Sequence, residues 1–182
     1  MALKSTIFKV KLTIADMDRN YYGDHQLTLA QHPSETDLRL LVRMIAFALN
    51  ASDQLSFTKG LSSEDEEAEL WERSLSGEIA LWVEFGQADE KWLRKACGRA
   101  KRVHLYCYGG RSTDVWWQQQ QSALQRYQNL RIWQLPEDTL QQGLKLIQRQ
   151  MTLQCTITEG QIWLSDDEQT VHLQPVQLKG EP

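Results

Sequence analysis

The sequence predicts an α/β (α+β) protein, in which helices flank a mixed sheet and the N- and C-terminal segments add antiparallel strands. Polar and apolar residues alternate near both ends of the chain, which is the two-residue period of half-buried strands. The middle contains a strand, a helix and a second strand within about 30 residues, as a parallel βαβ unit requires. With 182 residues, no internal repeat and no long linker, the chain is predicted to be one domain over residues 1–182.

The first elements form a predicted hairpin followed by a helix. Residues 3–15 and 21–30 alternate in polarity, and residues 16–20 between them have the composition of a turn. Ser34 is the predicted N-cap of the helix, with Asp37 at the acidic position of a capping box. The apolar stripe that follows is broad, so this helix is expected to pack on a sheet.

The central segment carries the βαβ unit. Residues 54–58 are a predicted short strand, and residues 61–77 read as an acidic and mostly irregular stretch. Residues 79–86 are apolar on both faces, which is typical of a central strand covered on both sides. A helix over 89–100 and a strand over 102–108 complete the unit, so the two strands are expected to be parallel neighbours.

The C-terminal half continues with a helix over 113–127, a strand over 130–135 and a helix over 136–151. The tail, residues 152–178, is predicted to form two or three alternating strands around a turn at 159–160.

Composition narrows the function classes. The chain has a net charge of −4, which argues against general coating of nucleic acid but permits a local basic patch. No apolar run approaches the ~20 residues of a membrane-spanning helix. Three distant cysteines exclude a disulfide framework, and the predicted compartment is the cytoplasm.

Glu84 is the strongest single candidate for a functional site. It is the one ionisable residue of the predicted central strand, and it lies at the carboxyl end, where open α/β sheets bind ligands. A buried carboxylate is costly unless it is paired or bound to a cation. A binding role and a structural ion pair with Arg39 or Arg43 both fit this pattern.

The helix over 89–100 has a basic face beside its apolar one. Its bases suit a phosphate-bearing partner, although acids early and bases late in a helix are also ordinary complements of the helix dipole. The bases of this face are Lys91, Arg94, Lys95 and Arg99.

The chain resembles the YaeQ family along almost its whole length. The motifs that carry this resemblance are HPSET (32–36), FTKGL (57–61), LWVEFG (81–86), KAC (95–97), VWW (115–117), MTLQ (151–154) and IWLSD (162–166).

The resemblance implies a restriction-endonuclease-like fold of the PD-(D/E)XK superfamily, in which carboxylates hold Mg²⁺ and a nearby Lys assists the attacking water. It implies that Glu84 is the (D/E) carboxylate. Gly86 stands where the signature has Lys, so Gln87, Lys91 or Lys95 would have to substitute.

The first acid of that signature is open, because Ala80 stands on the same strand face as Glu84. Asp65 and Glu78 are the candidates, and Glu35 resembles an extra acid of the superfamily. Arg43, Gln87 or Lys95 is expected to contact Glu84.

Two functions follow: a small Mg²⁺-dependent nuclease or phosphodiester-processing enzyme, and a non-catalytic module of this fold that binds nucleic acid or a protein. Neither involves a membrane.

Overall fold

The computed structural model describes residues 4–58 and 67–180. By its contacts the chain divides into two compact units, one of residues 1–51 and 138–174 and the other of residues 52–137 and 175–182. Each unit has its own sheet. The mixed α/β architecture with helices flanking the sheets confirms the predicted class, while the assignment of residues 1–182 to one domain stays a prediction.

The first unit contains a five-stranded sheet in the order β10-β9-β8-β1-β2. Its strands are β1 (Thr6–Asp16), β2 (Tyr21–Gln31), β8 (Gln150–Thr158), β9 (Gln161–Ser165) and β10 (Thr170–Leu173). β1 and β2 form the predicted antiparallel hairpin, and β1 pairs in parallel with β8. Alternate residues of β1 and β8 are buried, so one sheet face belongs to the core.

Helix α1 (Asp37–Asn50) supplies the other side of that core, with ten buried residues. Its Phe47 ring meets the ring of His25 on β2 edge to face at 5.0 Å. The predicted cap is wrong: the N-cap is Thr36, whose hydroxyl accepts the backbone N–H of Arg39 at 3.2 Å. The Ser34 hydroxyl instead bonds Nδ1 of His32 at 2.7 Å, so it is engaged before the helix begins.

The second unit contains a six-stranded sheet in the order β11-β7-β6-β5-β4-β3. The strands are β3 (Leu55–Phe57), β4 (Leu70–Arg73), β5 (Ile79–Phe85), β6 (Ala100–Cys107), β7 (Leu130–Gln134) and β11 (Val176–Lys179). Strands β5, β6 and β7 are parallel, with α2 (Glu90–Arg99) between the first two and α3 (Arg111–Leu124) between the last two. The parallel βαβ unit is therefore confirmed.

Three of the predicted segments differ in secondary structure from the sequence predictions. Residues 70–73 are not irregular but form β4, whose Leu70 is fully buried opposite Val83; the acidic composition concealed it. The predicted helix over 136–151 ends early, as α4 (Glu137–Gly143) and a 3-10 turn at Leu144–Leu146, because β8 begins at Gln150. The tail forms four strands rather than two or three, the last of which, β11, pairs with β7.

None of the helices in the described ranges is both long enough and apolar enough to cross a lipid bilayer.

Candidate functional site

Glu84 lies near the carboxyl end of β5 and is 7% exposed. Its Oε1 accepts a hydrogen bond of 2.7 Å from the indole Nε1–H of Trp82. The two residues are two positions apart in one strand, so their side chains leave the sheet on the same face. The carboxylate is thus buried in contact with a hydrogen-bond donor, as a charge in a core requires.

Aromatic rings surround this donor. Trp82 is fully buried, and its ring meets those of Trp71 and Trp92 edge to face at centroid distances of 6.1 and 5.9 Å. The Arg99 guanidinium lies over the Trp82 ring at 5.3 Å, and Lys95 Nζ lies over the Trp92 ring at 5.6 Å. Two bases of the α2 basic face therefore lie against the tryptophans next to Glu84, where each contributes a cation–π contact.

The strands on either side of Glu84 are β6 and β4. Leu105 of β6 is the partner of Glu84 in register. On the β4 side, Leu70 pairs with Val83 and therefore lies on the opposite face of the sheet from Glu84. Ala68, from the acidic segment, joins the buried cluster around Trp82.

Glu78, a candidate for the second acid, lies at the opposite end of the strand. It precedes β5 by one residue and pairs with Lys101 at 3.1 Å. Six residues of extended chain separate it from Glu84, which is about 20 Å. The structure does not bring these two carboxylates together.

Gln87 fixes the loop between β6 and α3. Its Nε2 donates to the carbonyl of Tyr108 at 2.5 Å and to the hydroxyl of Thr113 at 2.9 Å. Thr113 is fully buried in the first turn of α3. The side-chain amide that could replace the signature Lys is therefore engaged in positioning a helix.

Lys91 and Arg94 are exposed on α2. The acid of the first turn, Glu90, accepts hydrogen bonds from the Tyr127 hydroxyl and the Arg126 guanidinium. These two bonds, that of Tyr127 first, lower the pKa of Glu90. The charges of Arg126 and, to a smaller extent, Arg94 lower this pKa further, so Glu90 interacts with one base of α2 as well as with Arg126.

Glu35 and Arg43 belong to the first unit and contact each other. Nη1 of Arg43 lies 3.0 and 3.1 Å from the two carboxylate oxygens of Glu35, and Nη1 of Arg39 lies 3.2 Å from Oε1. The Glu35 side chain is 2% exposed and that of Arg43 is 9% exposed. The predicted metal ligand and the predicted binding residue thus form one buried ion pair.

Magnesium in proteins needs several oxygen ligands close together. In residues 4–58 and 67–180, no three Asp, Glu, His or Cys side chains lie together as a metal site. Asp65 lies outside the described residues. Glu84 is therefore not part of such a cluster in the described part of the chain, and its bond to the Trp82 indole does not supply the several oxygen ligands of a resident Mg²⁺.

The three cysteines are free and act as packing residues. Burial raises the pKa of the Cys97 thiol to about 11 and those of Cys107 and Cys155 to about 12. All three are thus protonated near neutral pH, so a nucleophilic role is not favoured.

Trp82 is a hydrogen-bond donor to Glu84 that sequence reasoning missed. The signal was present, because a Trp two residues before a carboxylate in a strand shares its face. The expected partners were charged or amide groups, and an indole N–H was not among them.

Comparison with known proteins gives one family along nearly the whole chain. A family model described as "YaeQ protein" matches residues 1–175. The uncharacterized protein YaeQ of Salmonella typhi is 45% identical over 174 residues, covering 96% of both chains. That of Escherichia coli strain K12 is 44% identical over 173 residues, covering 95% of both.

Two crystal structures share the fold. The YaeQ protein from Xanthomonas axonopodis pv. citri superposes with a TM-score of 0.93 at 44% identity, covering 97% of this chain and 99% of that one. The YaeQ protein from Pseudomonas syringae gives a TM-score of 0.91 at 35% identity, covering 97% of each chain.

Proposed function

The chain belongs to the YaeQ family, and we propose that it binds the phosphates of nucleic acid through the basic face of α2, as a non-catalytic module. In this proposal the fold descends from the restriction-endonuclease-like superfamily. The observation that carries it is the exposed pair Lys91 and Arg94 on the helix that covers Glu84's side of the sheet. One helical turn separates the two side chains, so both lie on one face.

The distribution of ion pairs supports this surface. Further along the chain, Lys101 pairs with Glu78 and Arg102 pairs with Glu72. Glu90, the acid nearest to the two exposed bases, bonds Arg126. The positive charge of Lys91 and Arg94 thus faces solvent, where it attracts phosphate and releases counterions on binding.

Glu84 has a structural role in this proposal. The Glu84 carboxylate accepts a hydrogen bond from Trp82 and so holds the Trp82 ring in place. That ring contacts Trp92 of α2, so the bond helps to fix the layer on which α2 packs. We also propose a cytoplasmic location, with which the three free cysteines agree.

The first test is binding of a labelled DNA duplex, and of its single strand, by fluorescence anisotropy. We expect Lys91→Ala/Arg94→Ala to weaken duplex binding roughly tenfold and to reduce the slope of log K against log salt by about 1.8, since two phosphate contacts are lost. Arg131→Ala/Lys145→Ala removes the same charge from exposed positions on other elements and is the matched control. Equal losses in both pairs would contradict a site on α2.

The second test addresses the catalytic alternative, which the position of Glu84 at the carboxyl end of β5 favours. Calorimetry with Mg²⁺ and Mn²⁺ should give no saturable heat at millimolar concentration, because no three Asp, Glu, His or Cys side chains of the described residues lie together as a metal site. Saturable heat in the wild type that disappears in Glu84→Gln would instead show a metal site completed by Asp65 or another acid, and would overturn the non-catalytic proposal.

A further inference from the structure

The open face of the five-stranded sheet in the first unit carries two lysines and one aspartate among mostly uncharged residues. Its residues follow from the register, since partners in neighbouring strands share a face. They are Ile7, Lys9, Lys11, Thr13 and Ala15 on β1, Tyr22, Asp24, Gln26, Thr28 and Ala30 on β2, Gln150, Thr152, Gln154, Thr156 and Thr158 on β8, Gln161, Trp163 and Ser165 on β9, and Thr170 and His172 on β10.

Aromatic rings occupy one transverse row of this face. In register across the five strands, the row runs Tyr22, Ala15, Thr156, Trp163, His172. Tyr22 is 61% exposed, so its ring is accessible from solvent. The Trp163 and His172 rings stack at 4.6 Å, nearly parallel, and Gln161 bonds the His172 ring at 2.7 Å.

Two lysines stand beside that row. Lys9 and Lys11 are exposed and line a shallow groove of about 480 Å³. The rest of its rim is uncharged, formed by Gln26, Thr28, Gln150 and Thr152. Lys11 is four residues from Ala15, so it lies about 13 Å from the aromatic row.

Acidic residues lie both on this face and at its border. Asp24 on β2 accepts a hydrogen bond of 2.8 Å from the Thr13 hydroxyl. At the β9–β10 turn, Asp166, Asp167 and Glu168 line a pocket with Gln150 and Thr152. The positive charge of the face is therefore confined to the end of β1 that carries Lys9 and Lys11.

We propose that this face binds single-stranded nucleic acid, with bases stacked on Tyr22 and Trp163 and phosphates paired with Lys9 and Lys11. Three strand spacings separate Tyr22 from Trp163, which is about 14 Å. Unpaired bases stack on such rings, whereas those of a duplex are already stacked on each other. The two lysines favour a polyanion over a neutral sugar chain. The surface lies in the first unit and does not depend on the proposed role of α2.

The experiment is anisotropy of a short fluorescein-labelled oligothymidylate, and of the matching oligouridylate, with the full chain over a range of salt. We expect Tyr22→Ala to weaken binding at least about fivefold, and Tyr22→Phe, which keeps the ring, to restore it. Lys9→Ala/Lys11→Ala should weaken binding and reduce the salt slope by about 1.4. Lys145 is an exposed lysine of the same unit outside this face, so Lys145→Ala is the control for losing a lysine charge elsewhere.

Circular dichroism and a thermal melt confirm that each variant is folded. Binding that survives Lys91→Ala/Arg94→Ala and is lost in the sheet variants supports this face and removes the proposed role of α2. Binding that is lost only with the α2 variant overturns this face and leaves the role of α2 standing. Equal binding of a neutral glucan, insensitive to Lys9→Ala/Lys11→Ala, also overturns it.

Discussion

Replacing Trp82 by alanine is expected to lower the free energy of unfolding by about 3–5 kcal/mol, the usual cost of removing a fully buried large aromatic side chain. Trp82 is fully buried between the rings of Trp71 and Trp92. The same change removes the donor to the Glu84 carboxylate, which is left in an apolar layer without that bond. Urea denaturation followed by circular dichroism measures the loss.

Trp82→Phe separates packing from hydrogen bonding. Phenylalanine keeps most of the ring and lacks the indole N–H, so we expect a cost of about 1–3 kcal/mol from the weakened solvation of Glu84. Trp133→Phe, at a half-buried ring stacked on Tyr106, is the matched control and should cost less. If the two substitutions cost the same, the bond from Trp82 to Glu84 contributes nothing to stability.

The same pair of residues shows what local sequence patterns can establish about the site. The two-sided apolarity of residues 79–86 was enough to predict a buried central strand and a buried carboxylate within it. Which groups surround that carboxylate depends on the pairing of β4 with β5 and on the packing of α2, and neither follows from residue spacing. The roles predicted for Gln87 and Lys95 stay predictions, as does the role of Asp65.

Long-range pairing explains most of the differences in fold. The hairpin and the βαβ unit join neighbours in sequence, and their patterns predicted them correctly. β1 pairs with β8 over a separation of about 140 residues, and β11 returns to pair with β7. Alternation shows that a segment is a strand but not which edge it will join, so the tail was predicted as strands without a sheet.

Glu35→Leu is expected to lower the free energy of unfolding by about 3–5 kcal/mol, because it leaves the Arg43 guanidinium buried without its carboxylate. The Arg43 side chain is 9% exposed, and it also donates a hydrogen bond of 3.3 Å to the carbonyl of Ala30. Glu35→Gln keeps the shape and one acceptor oxygen, so it should cost less than leucine. Chemical denaturation of the three proteins gives the order.

A double-mutant cycle with Arg43→Leu decides whether the ion pair itself stabilises the first unit. We expect Glu35→Leu/Arg43→Leu to be more stable than either single variant, since apolar residues of similar volume can replace a buried pair without leaving a charge. The coupling should then be at least as large as the cost of Glu35→Leu alone, about 3–5 kcal/mol. If Glu35 instead served as a metal ligand, as the superfamily resemblance implies, Glu35→Leu would remove a measurable heat of Mg²⁺ binding while leaving the stability of the metal-free protein nearly unchanged. A large loss of stability in metal-free buffer, reversed in the double variant, assigns Glu35 to the ion pair that holds α1 against β2.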